Sequence, residues 1–154
     1  MHFSDSKTTV DDDPIEKYGS DVLNVFNWGE YIGEDVIANF EEEYGVKVNY
    51  SMFDSNEILY TKLLGGTSYD VIVPSDYMIE RLMEEEMLQP LDYSYMTNLD
   101  DLDPGVVALR DEYDPDGVYS MPYFWGSVGL VYNKNNVDVD KLDELGWNIL
   151  RVSS

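Results

Sequence analysis

Short apolar runs alternate with amphipathic stretches between residues 22 and 90. Val22 to Phe26 is a compact apolar run closed by Asn27-Trp28-Gly29, which reads as a buried strand. From Glu34 to Tyr44, Val36, Ile37, Phe40 and Tyr44 fall on one helical face, and Gly45 suits the position after a helix. Val46, Val48 and Tyr50 alternate with Lys47 and Asn49, the period of a strand. Asp54-Ser55-Asn56-Glu57 places a capping oxygen three residues before a glutamate. The helix it opens carries Ile58, Leu59 and Leu63 and stops at Gly65-Gly66. Asp70 to Val73 is another β-branched strand, ended by Pro74. Ser75 or Asp76 caps the next helix, in which Ile79, Leu82 and Met83 face inward and Glu84-Glu85-Glu86 face water.

Three strand–helix units in series imply parallel strands and an α/β sheet covered on both faces. The flanking regions differ. Residues 1–20 are polar and read as a flexible acidic leader. Pro90 to Gly117 is Asp-rich, has turns at Asp103-Pro104-Gly105 and Asp114-Pro115-Asp116-Gly117, and reads as a long surface excursion. Val128 to Tyr132 offers one further strand.

Charge narrows the function classes. Among 154 residues, 32 Asp and Glu face 9 Lys and Arg, a formal charge of −23. Such a surface repels phosphate backbones and anionic headgroups and attracts cations, so nucleic acid is excluded as a partner. Cysteine is absent and His2 is the single histidine, which removes thiolate chemistry, a histidine triad and a His-rich zinc site. No apolar run approaches the ~20 residues of a membrane span. Met1 to Lys17 lacks the basic-then-apolar pattern of an export signal. Gly45 and Gly65-Gly66 match neither a phosphate-binding loop nor a dinucleotide fingerprint. A calcium loop through Glu112, Asp114 and Asp116 would need a glutamate where Tyr123 stands. No cofactor or metal is expected.

Ligands of open α/β sheets bind beyond the carboxyl ends of the strands. Those ends here are Asn27-Trp28-Gly29-Glu30-Tyr31, Phe53-Asp54-Ser55 and Pro74-Ser75-Asp76-Tyr77. Aromatic rings mixed with carboxylates and hydroxyls suit an organic cation, through cation–π attraction and charge-assisted hydrogen bonds. Structural roles compete. Trp28 could lid the core and Glu30 could be a solvated loop charge, and for Asp54 and Asp76 a capping role is the better reading. A second aromatic cluster, Tyr119-Ser120-Met121-Pro122-Tyr123-Phe124-Trp125-Gly126, is either an apolar cover for the sheet edge or a ligand wall or hinge.

Four segments in order, Asn27-Trp28-Gly29-Glu30-Tyr31, Ser55-Asn56-Glu57, Tyr69 to Ser75, and Tyr119 to Gly126, resemble the spermidine/putrescine-binding receptors of polyamine ABC importers. The resemblance runs from about Val22 to Leu150. It implies a periplasmic-binding-protein-like (type II) α/β lobe with a mostly parallel sheet, truncated relative to the family. The implied layout is the leader over 1–20, a first-lobe α/β domain over 21–125, and a crossover strand with the start of a second lobe over 126–154. It implies reversible capture of a polyamine without catalysis, delivery to an ABC transporter permease, and a periplasmic or cell-surface location. Trp28 and Tyr31 would pack on the methylene chain, Glu30 would pair with an ammonium, and Ser75 and Tyr77 would complete the wall. The family often carries a hydroxyl residue where this chain has Gly29. Alternatives are a binding protein for another small amine or solute, an acidic calcium-dependent surface module, and, weakest, a hydrolase using paired carboxylates.

Overall fold

The computed structural model describes residues 13–151. Three strands, β1 (Val22–Trp28), β2 (Lys47–Phe53) and β3 (Val71–Ile72), form one sheet in the order β2-β1-β3, and both pairings are parallel. Helix α1 (Pro14–Tyr18) precedes β1, α2 (Val36–Tyr44) joins β1 to β2, α3 (Asn56–Leu64) joins β2 to β3, and α4 (Asp76–Glu84) follows β3. The register runs Val22 opposite Lys47 through Trp28 opposite Phe53, while Phe26 faces Ile72 on the other side. All three strands therefore end along the same edge.

The core is built on Phe26, Phe53, Leu59, Met78 and Leu82, all buried. Phe26 meets Phe53 edge-on at 4.8 Å and stacks on Tyr69 at 4.4 Å, so two strands and the loop before β3 share one aromatic centre. On α4 the inward residues are Met78 and Leu82; Ile79 and Met83 flank them half-buried. Met78 completes the i, i+4 stripe that the sequence pattern had placed one residue later.

Several expectations change. The helix after β2 begins one residue later than the Asp54 spacing suggests. Ser55 is its N-cap, extended at φ −153°, and its Oγ accepts from the Ile58 amide. Glu57 thus lies in the first turn rather than reaching back as a capping-box partner. Helix α4 has Ser75 at its N-cap without a side-chain capping bond, and Asp76 accepts from the adjacent Tyr77 amide. The apolar face of α2 buries no residue: Phe40 and Tyr44 stack on each other at 4.5 Å, and Tyr44 meets Tyr18 edge-on. Beside it lie β2 and Tyr18 of α1, which leave that face incompletely covered.

The Asp-rich region is no loose excursion. Asp103 caps α5 (Pro104–Arg110), whose proline occupies the first turn. Arg110, Asp114 and Ser120 are buried, and Asp114 Oδ2 accepts from the Tyr119 and Ser120 amides and the Ser120 hydroxyl. Gly117 suits this turn: φ is +61°, and a Cβ would lie 1.9 Å from the Arg110 guanidinium, so a larger residue would be strained and would displace that side chain.

Residues from Phe124 onward make a separate compact unit. It holds α6 (Val139–Leu145), capped by Asp138, and a 3-10 turn over Gly146–Arg151. No strand forms over Val128–Tyr132; Val131 is fully exposed. A strand exists only where a neighbour pairs with it, and Gly126 and Gly129 weaken this one. The expected leader lies mostly outside the described residues, and its Pro14–Tyr18 part is helical.

Candidate functional site

The carboxyl edge of the sheet gathers three segments that run from the strand ends into the turn or helix beyond: 27–31 at the end of β1, 53–57 from β2 into α3 and 73–77 from β3 into α4. Trp28 closes β1 opposite Phe53, and the Val73 amide continues the ladder to the Phe26 carbonyl at 3.0 Å, leading Ser75 out of the sheet beside the β1 end. Across the three segments stand four carboxylates, Glu30, Asp54, Glu57 and Asp76, and no lysine or arginine.

Trp28 sits between the core and the surface. Its ring packs on Phe53 at 4.5 Å, which is the core-lid role, and it remains half-buried, with Tyr31 tilted against it at 6.0 Å. The turn beyond it is fixed from both sides. Buried Asn27 accepts from the Trp28 amide at 2.7 Å, and the Tyr50 hydroxyl donates to the Trp28 carbonyl at 3.3 Å. Burial pushes the Tyr50 phenol upward, which keeps it protonated as a donor. Glu30 projects from this turn, exposed.

Ser75 and Tyr77 are joined through a residue that the strand-end reading passed over. Asn56, 4% exposed at the start of α3, accepts from the Ser75 amide at 3.1 Å and donates to the Tyr77 hydroxyl at 2.9 Å. The Tyr77 hydroxyl donates in turn to Glu57 Oε1 at 3.1 Å. The Glu57 carboxyl is held below the usual range by its own backbone amide first and by Tyr77 second. Because Ser75 makes no capping bond, its hydroxyl is not committed to the helix. The second aromatic cluster also reaches this edge: the Tyr123 hydroxyl donates to the Tyr31 carbonyl.

Of the five residues expected at a site, Trp28, Glu30 and Tyr31 share one turn, and Ser75 and Tyr77 share another tied to α3. Asn56, Glu57 and Tyr123 complete the setting. The signal for Asn56 and Glu57 was the polar pair at a strand-to-helix junction, which the capping pattern absorbed. In the separate unit, a cleft of about 380 Å³ is lined by Val128, Leu130, Leu142 and Trp147, with one carboxylate, Asp143, and no convergent polar set. It does not compete as a site. Among the described residues no helix is long and apolar enough to cross a membrane.

Comparison with known proteins agrees with this architecture. The family described as bacterial extracellular solute-binding protein matches over residues 35–145. The putrescine-binding periplasmic protein PotF of Escherichia coli K12 is 44% identical over 116 residues, 75% of this chain and 31% of that protein. The spermidine/putrescine-binding periplasmic protein of Salmonella typhimurium is 38% identical over 121 residues, 77% and 34% respectively. The crystal structure of the spermidine/putrescine ABC transporter substrate-binding protein PotD from Streptococcus pneumoniae superposes with a TM-score of 0.68 at 45% identity, covering 76% of this chain and 36% of that one. The chain spans about a third of the length of the curated relatives it matches. The parallel α/β fold is that of PotD-type binding proteins, and this chain belongs to the bacterial extracellular solute-binding proteins.

Proposed function

We propose that the carboxyl edge of this sheet forms one wall of a polyamine site in an extracytoplasmic receptor that delivers its ligand to an ABC permease. The observation that carries the reading is the composition of the three strand-end segments: four carboxylates, three aromatic rings outside the core at Trp28, Tyr31 and Tyr77 beside the buried ring of Phe53, and no basic residue. An alkyl chain bearing ammonium groups matches both halves of that set. The rings of Trp28 and Tyr31 cover methylenes, and a ring face attracts an ammonium by about 0.5–2 kcal/mol depending on desolvation. Glu30 pairs with one ammonium, and the oxygens of Ser75 and Tyr77 accept from it. Capture is reversible, with no bond made or broken. The resemblance to PotF, a putrescine-binding protein, and to PotD, a spermidine/putrescine transporter substrate-binding protein, supports the same ligand class.

Isothermal titration of the chain with putrescine, spermidine and 1,4-butanediol tests the reading. Both amines should bind and the diol, of similar shape to putrescine but uncharged, should not. The affinity should fall as salt rises, since the charge of −23 adds a diffuse, screenable attraction. Binding of the diol equal to that of putrescine, or no heat with either amine, would overturn it.

A further inference from the structure

Both α3 and α4 direct their N-termini at the candidate site, and helix N-termini favour anions. A wall for cations needs something to reverse that preference, and the hydrogen-bond chain around Tyr77 does so. Its direction follows from chemistry. The Ser75 amide can only donate, so the Asn56 oxygen must face it at 3.1 Å. The Asn56 NH₂ must then face the Tyr77 oxygen at 2.9 Å and donate to it. Asn56 is buried, so its amide has no room to turn away. The single Tyr77 proton goes to the Glu57 carboxylate, which can only accept, at 3.1 Å. The chain runs one way, from Ser75 through Asn56 and Tyr77 to Glu57. The Tyr77 side chain is 52% exposed, and what its oxygen still presents is a lone pair.

We infer that Glu57, backed by Asn56, is a positioning residue for specificity: it holds the Tyr77 hydroxyl as an acceptor, so that this wall takes ammonium groups and rejects solutes that end in an acceptor. The inference rests on reading Tyr77 as part of the ligand wall. Glu57 acts through Tyr77 and adds a negative charge that offsets the two helix N-termini. Without the Glu57 acceptor the hydroxyl proton is released to rotate outward, where it meets an ammonium donor to donor.

Two measurements test this, one without ligand. Carboxyl ¹³C NMR should find Glu57 titrating below ordinary glutamate, and Tyr77→Phe should move it upward. An unmoved Glu57 would mean the hydroxyl does not donate to it, and the inference fails. The second is putrescine affinity for Glu57→Ala and Glu57→Gln, each in the parent and in the Tyr77→Phe background. Glutamine keeps an acceptor and loses only the charge. In the parent, alanine should weaken binding by about three- to tenfold and glutamine by less. In the Tyr77→Phe background the two should become equal. A gap between them that persists without the hydroxyl overturns the inference while leaving the polyamine reading intact. A parent chain that binds no amine overturns the polyamine reading and with it this selective role, even where NMR shows the hydrogen bond.

Discussion

The two ends of one small sheet use the same kinds of side chain differently. At the amino end, Asp70 Oδ2 accepts from the Asn24 amide at 2.7 Å and from Asn24 Nδ2 at 3.0 Å, while Asn49 Nδ2 donates to Asn24 Oδ1 at 3.1 Å. That ladder links β2, β1 and the residue just before β3, and its polar groups bond one another. At the carboxyl end, Asn56 does similar cross-linking, yet the Ser75 hydroxyl makes no capping bond and Glu30 stands exposed with no hydrogen bond among the described residues. Saturated polar groups hold a sheet together. Polar groups held in place but left open are what a ligand can use.

The comparison breaks most sharply at Glu30 and Asp70. Glu30→Gln should weaken putrescine binding at least about tenfold, the scale of a hydrogen bond to a charged group, and leave the melting temperature unchanged. Asp70→Ala should do the reverse, costing about 0.5–1.5 kcal/mol in denaturant unfolding because the Asn24 amide and side chain exchange this acceptor for water, with little change in affinity. Equal effects of both variants on binding would erase the distinction between the ends.

A finer contrast lies between two serines at helix starts. Ser55 caps α3 through its hydroxyl, so Ser55→Ala should cost about 1 kcal/mol of stability. Ser75 occupies the same position on α4 without the bond, so Ser75→Ala should fall within about 0.5 kcal/mol of the parent. Chemical denaturation of the two variants side by side reads the difference. A Ser75 loss as large as that of Ser55 would return this residue to a purely structural role.

Most of the sheet was legible in the sequence because its signals are local. The apolar run at Val22–Phe26, the alternation of Val46, Val48 and Tyr50, and the stop at Gly65 each report on neighbours along the chain. What escaped depends on distant partners. Met78 rather than Ile79 faces the core because α4 docks against Leu59 and Phe26, which no helical period specifies. Arg110 and Asp114 are buried in a stretch whose composition reads as solvent-exposed, and Asp114 Oδ2 is held there by amides five and six residues on. The strand expected at Val128–Tyr132 failed for the opposite reason: its apolar residues suit a strand, but Gly129 interrupts them and among the described residues no partner pairs with it. At the site, the five expected residues were chosen by strand-end position and by resemblance. Asn56 was hidden because buried polar cross-links carry no periodic signature.

Acid should separate the structural carboxylates from the open ones. Glu41 accepts from the Val48 amide at 2.8 Å and pairs with Lys47 at 3.0 Å, and both hold its carboxyl below the ordinary value, the amide more strongly. A carboxyl with a depressed folded pKa contributes stability above the unfolded value near 4.5, lost as pH falls through the folded value. Glu41→Gln should therefore lower stability at neutral pH and converge with the parent in acid below that window. Stability differences that stay constant with pH would show that Glu41 acts by packing alone.

The smallest expected effect concerns Gly29, the one place where the turn departs from the hydroxyl residue often found in the family. A Cβ there would meet only Met52 Sδ at 3.9 Å, an ordinary contact, and the backbone is not left-handed. Serine therefore fits without strain, and it stands between Trp28 and Glu30 on the turn proposed to face the ligand. Gly29→Ser should leave folding unchanged or slightly improved, because glycine loses more backbone freedom on folding than serine does. It should also tighten putrescine binding by a few-fold, the effect of one neutral hydroxyl acceptor against an ammonium donor. Paired titrations of parent and variant decide it. Tighter binding places the 29 side chain at the ligand. Unchanged affinity with raised stability would mean that the serine hydroxyl points to solvent and that this position belongs with the saturated, structural end of the comparison.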